Sequence, residues 1–145
     1  MRVGFGSDHA GYDLKEFLEE KVKDDGFEVV DYGTHIKKSV DYPDFAEKLI
    51  RGIQEKKIDL GVLVCGTGIG MSIIANKYKG IRAARCCSIQ DAVLSRQHND
   101  ANVLTLGGRL LGNELALEVT KAFLETPFLK GRHLRRVNKI KKLDK

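Results

Sequence analysis

One cysteine followed by three alternating glycines, Cys65-Gly66-Thr67-Gly68-Ile69-Gly70, is the stretch of this chain best suited to chemistry. It closes an apolar run that begins at Leu60 and opens a short helix-compatible segment reaching Asn76. Strand, glycines, helix is the order that gathers backbone N–H groups at a helix start and aims them at an anion. A tight turn that needs glycine for steric reasons has the same composition, so both readings stand at this point. Cys65 is similarly open. A lone buried cysteine behaves as a small apolar residue. A cysteine at a helix N-terminus is favoured as the thiolate, and can then act as a nucleophile or as a proton-abstracting base.

Two nucleotide readings fail on spacing. Gly66-x-Gly68-x-Gly70 is not the dinucleotide fingerprint, and Cys86 stands about 20 residues on, where a ribose-binding acid is required. Gly6-Ser7-Asp8-His9-Ala10-Gly11 has the glycine frame of a P-loop, but Tyr12-Asp13 replaces the necessary Lys-Ser/Thr.

Further polar groups cluster in two places. Ser95-Arg96-Gln97-His98-Asn99-Asp100-Ala101-Asn102 is a dense run just before a strand-like segment. Its Asn and Asp suit turns, while His98 is of the type that moves protons near neutral pH. In the tail, Arg132 and Arg136 are four apart, hence on one face of a helix, a pairing that suits phosphate.

The elements that must position these groups alternate between strand and helix. Arg2 to Ser7 reads as a first strand, and Leu14, Phe17, Leu18 and Val22 follow at helical spacing until Gly26. Phe27 to Tyr32 reads as a second strand, followed by a helix with Pro43 near its start and Phe45, Leu49, Ile50 and Ile53 inward. Asp59 to Cys65 is apolar enough to be buried on both faces. Ile81 to Arg85 predicts a fourth strand, Ile89 to Gln97 a helix, and Val103 to Leu106 a fifth strand. A helix with Leu115, Val119, Ala122 and Phe123 inward then runs to Pro127. Leu134, Val137, Ile140 and Leu143 place a basic amphipathic helix in the tail. Five strands interleaved with helices predict an α/β fold with a mostly parallel sheet, and ligands beyond the carboxyl ends of its strands.

The 145 residues fit a single domain, 1–145, large enough to bury a core without staples. Apolar residues are 42% and charged residues 31% of the chain, which excludes disordered and collagen-like classes. The longest apolar stretch has six residues, far short of the roughly 20 of a membrane helix. With no signal-like region after Met1 and an odd count of three cysteines, the expected location is the reducing cytoplasm. Neither a disulfide framework nor a zinc site is expected, and Cys86 and Cys87 are assigned to packing at the end of the fourth strand. The net charge of +5 is entirely C-terminal: residues 130–145 carry +7 and the remainder −2. Such a block is a solvated helix face, a nucleic-acid arm or a set of anion ligands.

Taken in order, the blocks at 6–11, Asp41-Tyr42-Pro43, 65–70, Ala75-Asn76-Lys77, 95–104, Gly107-Gly108-Arg109 and Gly131-Arg132-His133-x-x-Arg136 resemble the type B ribose-5-phosphate isomerase family. The resemblance runs through essentially the whole chain. It implies a Rossmann-like three-layer α/β/α sandwich with a five-stranded parallel sheet and the basic helix at its end. It also implies a homo-oligomer, dimer or tetramer, without cofactor or metal, in which each site draws on two chains.

The implied reaction interconverts an aldose phosphate and a ketose phosphate through an enediolate. Cys65 resembles the base of one subfamily; the other uses a glutamate just past the glycine loop, where this chain has Met71. Thr67 and His98 match ring-opening residues. Asp8, Tyr42 and Asn99 match groups on the sugar; His9, Arg109, Arg132 and Arg136 match groups on the phosphate. N–H groups of Gly66, Gly68 and Gly70 would face the developing oxyanion. In the family His98, Asn99, Arg109 and the tail arginines come from the partner chain. A 6-phosphate hexose isomerase (allose or galactose) is the neighbouring alternative. A nucleic-acid module is disfavoured by ten aromatics, no Trp and no reading motif in the tail.

Overall fold

The computed structural model describes residues 1–144; Lys145 of the basic tail lies outside them. The elements run β1 (Arg2–Ser7), α1 (Tyr12–Asp24), β2 (Glu28–Asp31), α2 (Tyr42–Gln54), β3 (Leu60–Cys65), α3 (Ile69–Ala75), β4 (Ala83–Arg85), α4 (Ile89–Asn99), β5 (Val103–Gly107), α5 (Asn113–Glu125) and α6 (Arg132–Lys141). The five strands form one parallel sheet in the order β2-β1-β3-β5-β4. A parallel pair cannot be closed by a hairpin, so each strand returns through a helix, and the helices cover both faces. The result is the expected α/β/α sandwich.

Alternation along the central strands divides the core in two. Val62 and Val64 of β3, with Leu104 and Leu106 of β5, face Leu18 of α1 and Val119 and Phe123 of α5. Leu63 and Cys65 of β3, with Val103 of β5, face Leu49 and Ile50 of α2 and Met71 and Ala75 of α3. β3 is buried along its whole length. Each fully buried aliphatic or aromatic side chain here contributes about 1.5–3 kcal/mol. Gly11 lets the start of α1 pass against β3: a Cβ there would strike the Val64 carbonyl. That close approach fixes the turn carrying Asp8 and His9.

Several boundaries differ from expectation. β2 omits Phe27 and Tyr32, and β4, an edge strand, has only three residues. α4 continues two residues past Gln97, so His98 and Asn99 sit on a helix rather than in a loop. It starts on the Ser88 hydroxyl, which accepts from Asp91 N–H at 3.0 Å, and stops where Asp100 turns left-handed. In α5 the buried positions are Ala116, Val119, Thr120, Phe123 and Leu124, Ala122 packs partly buried against the same core, and Leu115 faces out. In α6 only Val137 of the expected apolar stripe is buried; Leu134, Ile140 and Leu143 are exposed, and His133 takes an inward position.

Candidate active site

The carboxyl ends of β1, β3 and β5 open into a cavity of about 460 Å³. Seven of the expected residues line it: Asp8, Tyr42, Cys65, Gly66, Thr67, Gly70 and Arg109. Cys65 is the last residue of β3 and is 5% exposed. Its Sγ accepts a hydrogen bond from the Gly68 N–H at 3.1 Å. Gly68 has φ +79°, the left-handed backbone that glycine adopts freely, and this turn brings the amide back over the sulfur. A donor in that position stabilises negative charge on sulfur. The Thr67 hydroxyl accepts from Ile69 N–H at 3.1 Å. The Thr67 and Gly70 N–H groups find no acceptor among the described residues, as expected of donors at the start of a helix.

Arg109 departs from expectation. The resemblance places it in the partner chain, but here it lies over the glycine loop of its own chain. Its N–H donates to Gly66 O at 3.0 Å, and Nη1 is 3.2 Å from where a Gly66 Cβ would stand. Register explains this, since Cys65 pairs with Gly107 and the Gly108 N–H donates to Cys65 O at 2.7 Å. Asp8 is buried, and its Oδ1 accepts from Gly11 N–H at 3.0 Å. Tyr42 opens α2 with its ring against Gly70. His9, next to Asp8 in the chain, does not line the cavity; its Nδ1 accepts from Val40 N–H at 3.2 Å, so a neutral ring carries its proton on Nε2.

His98, Asn99, Arg132 and Arg136 are elsewhere. α4 starts after the carboxyl end of β4 and runs back to the amino end of β5. His98 and Asn99, in its last turn, therefore lie at the amino ends of the strands, opposite the carboxyl ends where Cys65 sits. There the His98 ring stacks on His133 of α6, with centroids 4.3 Å apart and planes 13° from parallel. Burial, then His98 and the two arginines, holds the His133 imidazole below its ordinary value. Arg132 and Arg136 are exposed on α6 beside this pair.

Sequence reasoning missed two features. Ile69 and Ile73, one turn apart, form an apolar wall of the cavity and are 48% and 59% exposed; their spacing was the available signal. Lys15 is a fully buried lysine, with Nζ 2.9 Å from Asp31 and 2.7 Å from Glu16. Burial alone would lower its ammonium, but the hydrogen bonds of Glu16 and Asp31 outweigh this and leave it raised. Glu16, Glu19 and Asp31 have ligand-like spacing for a cation, but the Lys15 ammonium already occupies that place. Cys86, packed at the end of β4, has a thiol pushed up to about 12 by burial, then by Asp91. Cys87 is exposed, unlike the packing assigned to it. No helix among the described residues is long and apolar enough to cross a membrane.

Residues 3–140 match the family model described as Ribose/Galactose Isomerase. Ribose-5-phosphate isomerase B of Escherichia coli (strain K12) is 43% identical over 139 residues, 96% of this chain and 93% of that protein. Among solved structures, ribose-5-phosphate isomerase B of Clostridium thermocellum superposes with a TM-score of 0.97 at 48% identity, covering 99% of this chain and 97% of that one. The ribose 5-phosphate isomerase of Thermotoga maritima gives 0.95 at 49% identity, with 98% of each chain covered. A family model matched over residues 3–140, with relatives this similar over nearly the whole chain, leaves one assignment: the chain belongs to the Ribose/Galactose Isomerase family.

Proposed function

We propose that this protein interconverts ribose 5-phosphate and ribulose 5-phosphate, with Cys65 moving the proton between C2 and C1. The observation that carries the reading is the Cys65 sulfur, held by the Gly68 N–H inside a cavity whose rim also offers Arg109 and unpaired loop N–H groups. The thiolate removes the C2 proton of the open-chain aldose. The C–H electron pair forms the C1=C2 bond, and the aldehyde oxygen becomes an oxyanion facing the glycine loop. Return of the proton to C1, with the C2 hydroxyl proton passing to O1, gives the ketose. Electrons and atoms balance without a redox partner. A preorganised N–H donor aimed at such an oxyanion contributes about 3–4 kcal/mol to barrier lowering.

Thr67 and His98 open the furanose, Asp8, Tyr42 and Asn99 hold the sugar, and His9, Arg109, Arg132 and Arg136 hold the phosphate. Because His98, Asn99, Arg132 and Arg136 lie at the opposite end of the sheet from their own Cys65, they act in the site of a second copy, as a dimer or tetramer allows. The apolar side chains left bare on α6 support the same assembly. Residues 1–145 then work as one domain in the cytoplasm, a location in keeping with three free cysteines.

The test is turnover of ribose 5-phosphate by the purified protein in deuterated water. Ketopentose should appear with deuterium at C1, and kcat/KM should exceed that for allose 6-phosphate. Absence of turnover, or preference for the hexose phosphate, removes the substrate assignment.

A further inference from the structure

Two side chains that the isomerase reading leaves idle grip the glycine loop from behind. Arg85, the last residue of β4, donates its Nε–H to Thr67 O at 2.9 Å. Thr105, in the middle of β5 and fully buried, donates its hydroxyl to Gly68 O at 2.9 Å. Thr67 O and the Gly68 N–H belong to one peptide group. That group is planar and trans, so its C=O and N–H point in opposite directions. Holding the oxygen on the β4 side therefore aims the N–H the other way, at Cys65 Sγ 3.1 Å away. The Thr105 hydroxyl fixes the next peptide plane. Gly68, with its left-handed φ of +79°, is thus clamped on both sides of the Cα about which it could turn. Glycine needs that clamp because its backbone is otherwise the freest in the chain.

We propose that Arg85 and Thr105 are positioning residues that hold the Gly68 amide on the Cys65 sulfur. The proposal rests on Cys65 as the base. Neither residue lines the cavity, so neither touches substrate. The loss on removing them falls on the chemical step and spares binding.

The experiment compares Arg85→Met, Thr105→Val and Thr105→Ser with the unaltered protein. Ribose 5-phosphate kinetics are measured, together with the iodoacetamide labelling rate of Cys65, resolved by peptide mass spectrometry. Arg85→Met and Thr105→Val should each lower kcat about fivefold to twentyfold with KM within about twofold, part of the effect of losing a donor outright. Labelling of Cys65 should slow alongside, and Thr105→Ser, which keeps the hydroxyl, should restore both. Unchanged kcat and labelling in both variants, or a rise in KM alone, overturns the proposal. So does a loss in Thr105→Val that serine does not restore. If the unaltered protein does not isomerise ribose 5-phosphate, the proposed function fails separately. The labelling rates then still decide whether the clamp acts on Cys65.

Discussion

The Gly68 N–H donates to Cys65 Sγ at 3.1 Å across a left-handed turn, so the sulfur and its stabilising donor belong to one loop three residues apart. An alanine Cβ at Gly68 would be strained by its φ and would come within 2.9 Å of the Leu106 carbonyl carbon. Gly68→Ala should therefore displace the amide from the sulfur. Activity should fall roughly 10- to 100-fold, with about 1–3 kcal/mol of lost stability. Steady-state kinetics and urea unfolding check the two effects separately.

Arg136 lies on the exposed face of α6 and is assigned to the substrate phosphate. Arg136→Ala should raise KM about tenfold and leave kcat within about threefold, because the phosphate contact is alike in ground and transition states. Initial-rate kinetics over a range of ribose 5-phosphate concentrations give the split. An unchanged KM removes Arg136 from the phosphate site.

The separation of Cys65 from His98 gives a complementation test. Cys65→Ala and His98→Asn homo-oligomers should each be nearly inactive. Mixed by unfolding and refolding together, they should recover about a quarter of normal activity. Random pairing makes half of all dimers hybrid, with one intact site of two. Activity no greater than the average of the two variants would put His98 and Cys65 to work without exchange between chains.

Much of this architecture is legible in the sequence, and the failures have physical causes. The unbroken apolar run into Cys65 and the glycines after it locate the central strand and the cavity floor, because a doubly covered strand has no polar face to confuse the pattern. The sequence ends this helix at Gln97 and leaves His98 beyond it, because Asn99 and Asp100 are turn-formers by type, whereas α4 runs through Asn99. Here Ser95 returns its hydroxyl to Ala92 O at 2.8 Å and lets the helix continue. The apolar spacing of α6 is legible in the sequence, but spacing does not say what covers a face, and Leu134 and Ile140 stay exposed on the single chain. Lys15 gave no signal at all, since periodicity marks it as one more charge on a helix and only the fold brings Asp31 beneath it.

That buried cluster sets a pH dependence. Burial pushes the Glu19 carboxyl up to about 8 from 4.5, against the pull of Lys15, with Asp31 and Glu16 adding to the rise. One ammonium faces three carboxylates, and Glu19 is the one whose Oε1 is buried without a hydrogen bond. The folded chain thus holds a proton that the unfolded chain releases. The contribution to stability is complete below pH 4.5 and is lost as pH rises through about 8. Glu19→Gln should unfold later than the unaltered protein at pH 9 by about 1–2 kcal/mol, roughly 3–6 °C in Tm, with the gap closing towards pH 5. Calorimetric melts across that range measure it, and a gap that widens towards acid would reverse the assignment.

The central claim, that the Cys65 sulfur carries the proton, is tested most directly by Cys65→Ala. Turnover of ribose 5-phosphate should fall at least about a thousandfold, while calorimetry still shows the sugar phosphate binding within several-fold of the original affinity. An alanine variant that isomerises at a rate near that of the unaltered protein would contradict the account.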